Sequence, residues 1–298
     1  MEAEPRIETA LERAVAKATA PACPARLAEA VRYAVFPGGG RVRPQLCLAV
    51  AKACGDPNPA LTDAAAAAVE LLHCASLIQD DLPCFDDAPM RRGQPALHRR
   101  FGEDIAILVG DVLIVMAFDL VSAELPAYPL AGAKILQALA RAAGAPAGIA
   151  AGQAWESEPT VDLAAYHHAK TAALFEAAAL SGAVAAGGAY DAWSDVGRLL
   201  GGAYQLADDL ADALGESATL GKPVQQDRQN HRPNAVASLG PMEAGRNLDE
   251  LLARAKQAIP PCSQRGNVEA FLDGVGGRLC PPELREKTTA ARVAVARG

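Results

Sequence analysis

Asp80-Asp81-Leu82-Pro83-Cys84-Phe85-Asp86-Asp87-Ala88-Pro89-Met90-Arg91-Arg92-Gly93 sets four carboxylates within eight residues and follows them with two arginines and a glycine. Acids that close repel one another, so a folded chain needs a counter-charge beside them. A hard divalent cation with oxygen ligands supplies it, and Mg²⁺ typically brings a phosphate with it. Arg91 and Arg92 suit the outer face of such a polyphosphate, because guanidinium forks match phosphate oxygens. Taken alone, the stretch also suits a solvated acidic loop ended by a Gly-Arg turn. A second stretch of the same kind tips the balance.

That stretch is Gln205-Leu206-Ala207-Asp208-Asp209-Leu210-Ala211-Asp212, with Lys222 after Gly221. Asp208 and Asp212 are four apart and stack on one helix face, with Asp209 beside them. Their neighbours Leu206, Ala207, Leu210 and Ala211 are apolar, so the helix is not fully solvated, and a metal would offset the cost of burying its acids. The layout repeats: 11 residues separate Asp80 from Arg91, and 14 separate Asp208 from Lys222. Acids for metal come first, then a cation for phosphate.

Working outward, helical periodicity recurs along the 298 residues and strand signals are nearly absent. Alanine runs such as Ala64 to Ala68 favour helix. Residues 6–19 and 26–35 read as helices, followed by Phe36-Pro37-Gly38-Gly39-Gly40-Arg41-Val42-Arg43-Pro44, a glycine turn carrying two arginines. As a helix-breaking loop it is unremarked, but glycines also let a backbone approach an anion. A long helix is expected from an N-cap at Thr62 to about Asp81, with Glu70, His73, Leu77 and Asp80 in one stripe. Pro83 disturbs its end, and Asp86 shares a metal with Asp80 only if the chain bends back there. Phe101 to Ser122 and Lys134–Ala143 read as further helices, Asp162 caps one containing His167, His168, Lys170 and Thr171, and Asp191 onward gives the helix bearing Asp208. Trp155 reads as packing, and Asp227 to Pro233 as a loop over the site. With no linker and no solenoid repeat, residues 1–298 form one all-α domain.

Composition excludes several functions. A net charge of −7 without basic clusters argues against a nucleic-acid partner. Seven scattered cysteines with no CxxC pair read as reduced, mostly buried thiols of a cytoplasmic protein. The acidic, amphipathic start is unlike a signal peptide, the ending lacks a prenylation cysteine, and the apolar run Ile105 to Phe118 is too short to span a bilayer. No stable membrane insertion is expected.

Together these motifs closely resemble the trans-polyprenyl (isoprenyl) diphosphate synthases, over roughly Val31 to Gly240. Asp80-Asp81 to Asp86 with Arg91-Arg92-Gly93 is similar to the family's first aspartate-rich motif, in the form with a two-residue insertion. Asp208-Asp209-Leu210-Ala211-Asp212 is similar to the second, and Lys170-Thr171, Gln205 and Gly221-Lys222 match other binding positions. Within the family the chain is most like bacterial geranylgeranyl diphosphate synthases of carotenoid and chlorophyll-type pathways. The resemblance implies an all-α bundle around a deep central cavity, commonly a homodimer. It implies condensation of isopentenyl diphosphate with an allylic diphosphate (dimethylallyl, geranyl or farnesyl) and release of pyrophosphate. Mg²⁺ would be held by Asp80, Asp81, Asp86, Asp208, Asp209 and Asp212. Arg91, Lys170 and Lys222 would clamp the leaving group, Thr171 and Gln205 would face the allylic cation, and Arg43, His73 and Arg92 would hold isopentenyl diphosphate. Ala75 and Ser76, both small, stand where the family sets its chain-length wall, which implies a C20 product.

Three departures from the family pattern stand out. Gly40 replaces the usual lysine of the glycine turn, Gln79 replaces a histidine before the first motif, and His231-Arg232 stands where a second Gly-Lys is expected, with Arg232 as the substitute cation. Two other readings compete. A class I terpene cyclase pairs one Asp-rich motif with an Asn/Ser/Glu-type second motif, which Asp208-Asp209-x-x-Asp212 does not match. A non-catalytic regulatory subunit would lose metal ligands, and only Gly40 speaks for it. Farnesyl diphosphate synthesis is the alternative within the family.

Overall fold

The alanine-rich, helically periodic sequence forms helices along most of what the structure, a computed structural model, describes: residues 3–214 and 234–281. In chain order these are α1 (Ala3–Ala18), α2 (Ala25–Val35), α3 (Val42–Ala53), α4 (Pro59–Asp81), α5 (Leu97–Phe101), α6 (Glu103–Ala123), α7 (Pro129–Ala143), α8 (Ile149–Ala154), α9 (Leu163–His167), α10 (Ala173–Ala185) and α11 (Ser194–Leu214). Helices Ala235–Leu239, Pro241–Gln257 and Arg265–Leu279 follow. Among the described residues the only strands are the two-residue arms of a hairpin, Met90–Arg91 against Gln94–Pro95.

Two helices are apolar on every side and therefore lie inside. Every residue of α4 from Ala64 to Leu72 is buried, as is every residue of α10 except Glu176. α4 packs between α3, α6 and α10, while α10 packs against α3, α7 and α11. Small side chains let such helices approach closely, so dispersion contacts between backbones do much of what large aromatic side chains do elsewhere, in a sequence only 4% aromatic.

Several boundaries differ from the sequence expectation. α4 starts at Pro59, whose fixed φ suits a first helical turn. Thr62 is thus inside the helix, its hydroxyl donating to Asp56 Oδ1 at 2.7 Å instead of capping. The helix expected over Phe101 to Ser122 begins two residues later, because Gly102, at φ 92°, leaves Phe101 at the end of α5 and α6 starts at Glu103. Between α9 and α10, His168–Ala172 forms a single π-helical turn, an insertion that re-aims the side chains it carries. All seven cysteines are free, but only Cys47, Cys74 and Cys280 are buried, and Cys84 is exposed.

By length and composition, α4 and α6 are long and apolar enough to cross a membrane. The run Ile105–Phe118 is short, but the helix containing it has 21 residues. α4 is a core helix, with 78% of its apolar window buried. α6 is different: Ile107, Leu108 and Val115 are 50–67% exposed. The exposed side of α6 also carries Asp111 and Asp119, the latter 2.6 Å from Lys17 Nζ.

Candidate active site

Asp80 and Asp81 end α4, where the helix macrodipole is negative and no basic residue lies in the last turn. Leu82 turns extended ahead of Pro83, as a residue before proline does. The chain then folds back: Asp86 N donates to Asp80 O at 3.0 Å and Ala88 N to Asp81 O at 3.2 Å. The bend needed to bring Asp86 beside Asp80 is therefore present. Asp87 leaves the cluster, accepting from Arg99 at 2.7 Å. Burial pushes the Asp80 carboxyl up, Lys170 and Gln153 oppose that, and Asp86 and Glu156 add to it.

Gln153 was not singled out as a site residue by the sequence. From α8 its amide donates to Asp80 Oδ1 at 2.9 Å and to the Ser76 carbonyl at 3.2 Å. Its neighbour Gly152 was the available signal: a Cβ there would lie 2.4 Å from the backbone nitrogen of Lys170, so only glycine lets α8 meet the π turn.

Asp81 and Arg91, expected at metal and diphosphate respectively, face each other. Arg91 Nε lies 3.0 and 3.1 Å from the two carboxylate oxygens of Asp81, and Nη2 is 2.5 Å from Oδ1. Burial lifts Asp81 and Arg91 lowers it, with a net rise. Lys170 is likewise engaged, donating to Glu156, with Tyr166 Oη at 3.3 Å.

A basic side faces these acids. Arg43 lies buried with its guanidinium 4.4 Å from the Phe175 ring centroid and 5.5 Å from that of Tyr204. Its Nη1 is 3.4 Å from His73 Nε2, and its Nε has no protein partner among the described residues. Burial, then Arg43 and Arg92, hold His73 well below its ordinary value, so the ring is neutral and its Nε2 accepts from Arg43. Arg92 has φ 52° and donates to the Gly38 carbonyl. It lies flat on Gly39, where a Cβ would stand 2.6 Å from Arg92 Cζ. Arg41 is committed elsewhere: it donates to Glu70 at 2.6 Å, Glu8 at 2.7 Å and the Val35 carbonyl at 2.7 Å. Burial would lower its pKa, but Glu70 and Glu8 outweigh that and raise it.

On α11, Asp208 is half-buried and Asp209 and Asp212 are buried. Asp209 accepts from Gln205 Nε2 and from Ala235 N, each at 2.8 Å. Thr171 Oγ1 donates to Gln205 Oε1 at 2.5 Å. Ala75 is 2% exposed, and Ser76 donates to the His73 carbonyl at 2.8 Å. Lys222, Arg232 and the expected loop from Asp227 to Pro233 lie outside the described residues. Two threads of contact thus connect the motifs. One runs from Asp80, on which Lys170 acts electrostatically, along the π turn to Thr171 and from there to Gln205 and Asp209. The other runs from His73 through Arg43 to Tyr204 and Asp208, which acts on Arg43 electrostatically.

Among the described residues no three acidic, histidine or cysteine side chains form a metal cluster by themselves. The donor set nevertheless fits a hard cation: carboxylates lie at the end of α4 and on α11, the first pair raised by burial and like charge, with Arg91 beside Asp81 and Arg43 within the field of Asp208 to meet an anion. Such a donor set is suited to a polyphosphate, which a metal on the acids and the guanidinium groups would hold between them.

A family model described as polyprenyl synthetase matches residues 24–260. The chain is 48% identical over 281 residues to the geranylgeranyl diphosphate synthase of Cereibacter sphaeroides, covering 94% of this chain and 98% of that one. It is 49% identical over 262 residues to the geranylgeranyl diphosphate synthase of Rhodobacter capsulatus, covering 88% and 91%. Among solved structures it is similar to a geranyltransferase from Helicobacter pylori complexed with magnesium and isoprenyl diphosphate, at TM-score 0.76 and 28% identity over 90% of this chain and 96% of that one.

Proposed function

The chain belongs to the polyprenyl synthetase family, and from that premise we propose that it is a geranylgeranyl diphosphate synthase. It joins isopentenyl diphosphate to allylic diphosphates (dimethylallyl, geranyl, farnesyl) and releases pyrophosphate. The observation that carries this reading is the bend after Pro83 that returns Asp86 to Asp80, together with the α11 acids that Gln205 ties to Thr171 on the π turn. Pyrophosphate release that requires both isopentenyl diphosphate and an allylic primer, and stops with EDTA, is the expected result. Hydrolysis of the primer alone would contradict it.

Asp80 and Asp86 of the first motif, and Asp208, Asp209 and Asp212 of the second, would hold Mg²⁺, which would neutralise charge on the departing pyrophosphate. Asp81 orients Arg91 through its paired oxygens, and Arg91, Lys170 and Lys222 close on the same group. Lys170 must exchange Glu156 for phosphate oxygens to do so. Arg43, stacked on Phe175, presents its guanidinium with His73 and Arg92 to the diphosphate of isopentenyl diphosphate, and Arg232 adds a further cation. The double bond of that substrate attacks the allylic carbon, and released pyrophosphate takes the final proton. The acids retained in both motifs favour this reading over a regulatory subunit.

Gly40 leaves the isopentenyl site one cation short, because Arg41 is already occupied by Glu8 and Glu70. A Cβ at Gly40 meets only Val42 Cγ2, at 3.2 Å, so a side chain fits with a small shift. Gly40→Lys is expected to lower the KM for isopentenyl diphosphate by an amount worth about 1–3 kcal/mol, typical of a charge-assisted contact. Steady-state kinetics showing an unchanged or higher KM would mean that another cation already fills the role.

The exposed apolar side of α6 supports a homodimer, in which a second copy covers Ile107, Leu108 and Val115. Val115→Glu should convert a particle of twice 30.8 kDa to one of 30.8 kDa in sedimentation. A wild-type monomer, or a dimeric Glu variant, would remove that face from the interface. A cytoplasmic, single-domain enzyme supplying carotenoid-type pathways completes the proposal, in keeping with seven free thiols.

A further inference from the structure

Hydrogen-bond direction along one of the contact threads is fixed by its chemistry. A backbone N–H only donates, so Asp209 Oδ2 accepts from Ala235 N at 2.8 Å. The NH₂ end of the Gln205 amide faces Asp209 Oδ1 at 2.8 Å, the direction that the carboxylate form of Asp209 requires, and His167 Nε2 stands 3.6 Å from Oδ2. The carbonyl end of that amide then faces Thr171, whose Oγ1 lies 2.5 Å away and whose single hydrogen is used there. Toward any other neighbour the Thr171 oxygen acts as an acceptor alone. Asp209 is 1% exposed and Thr171 7%, so little water competes with these bonds.

We propose that Asp209 is a positioning residue that sets, through Gln205, the direction of the Thr171 hydroxyl, leaving its oxygen lone pairs for the allylic cation. The inference rests on the prenyltransferase reading above and moves Asp209 out of the metal set. An acceptor-only oxygen stabilises a cationic carbon, whereas a hydroxyl hydrogen turned toward it repels it. The arrangement is made before substrate arrives, so no reorientation is needed as the C–O bond breaks.

Asp209→Asn reverses the relay at nearly constant shape. The Asn oxygen must accept from Ala235 N, so its NH₂ faces Gln205. The Gln205 amide then turns over to accept, presents its own NH₂ to Thr171, and releases the Thr171 hydrogen toward the substrate. Expected results are a kcat lower by roughly 10- to 100-fold, an allylic KM unchanged, and calorimetric binding of Mg²⁺ with inorganic pyrophosphate unchanged. The decisive comparison is Thr171→Val in both backgrounds. It should cost kcat in the wild type and cost nothing, or restore some rate, beside Asp209→Asn. An equal loss in both backgrounds, or pyrophosphate binding weakened about tenfold or more by Asp209→Asn, would overturn the proposal in favour of a metal-binding role. Should Asp209→Asn fail to fold, Gln205→Met breaks the same relay. The cost of Thr171→Val must then shrink in that background, and an undiminished cost overturns the proposal. A wild type that forms no prenyl product would instead sink the reading beneath it.

Discussion

Asp80→Ala and Asp208→Ala are each expected to cut turnover by about 10³-fold while the protein stays folded. The expected size follows from removing pre-placed charge stabilisation of a leaving group, where a single lost contact typically costs about 10²–10³ and a metal ligand supports more than one. Folding should survive because Asp80 opposes it. Burial and the adjacent Asp86 raise its carboxyl pKa in the folded state. A raised carboxyl pKa means that the folded state binds the proton more tightly than the unfolded one. The penalty is therefore absent below the unfolded carboxylate range and grows as pH rises through it toward the folded value. At neutral pH without metal, Asp80→Ala should melt no lower than the wild type. Thermal melts and steady-state rates read the two halves separately. Near-normal turnover in either variant would remove the two-motif argument.

Ala75→Phe is expected to move the main product from C20 to C15. Ala75 lies five residues before Asp80, about 7.5 Å along α4 at 1.5 Å per residue, deeper in the bundle than the acids. It is 2% exposed, and Ser76 beside it is also small. At the chain-length wall that the family resemblance implies, a benzyl group would shorten the space for a growing tail without changing the acidic motifs, so Mg²⁺ dependence should not change. If the side chain enters open space, stability should hold. If it enters filled core, overpacking should cost about 1–3 kcal/mol and lower Tm. Product chromatography decides the matter: a Phe variant that still makes C20 means that Ala75 is not the floor.

The helical character and the two acidic motifs were legible because both follow from local rules. Alanine content, the four-residue spacing of Asp208 and Asp212, and the Leu82-Pro83 stop each act within a turn or two of chain. The start of the helix expected from Phe101 falls two residues early, because Gly102 at φ 92° ends α5 on Phe101. Thr62 was misread because Pro59 starts the helix one turn earlier. Pairings between distant segments were not legible. Nothing in the spacing ties Gln153 to Asp80, 73 residues away, or Lys170 to Glu156. Spacing also did not reveal that Arg91 faces Asp81 or that Arg41 is held by Glu70, since each depends on how the helices pack. Substrate identity came from family resemblance, with no contribution from composition or periodicity.

The most direct test of the account is product analysis with purified protein, Mg²⁺, isopentenyl diphosphate and each of dimethylallyl, geranyl and farnesyl diphosphate as primer. The account predicts head-to-tail elongation from these primers, lost with EDTA, that converges on geranylgeranyl diphosphate. Products that stop at C15 would contradict the length assignment, and the absence of any elongated product would contradict the enzyme itself.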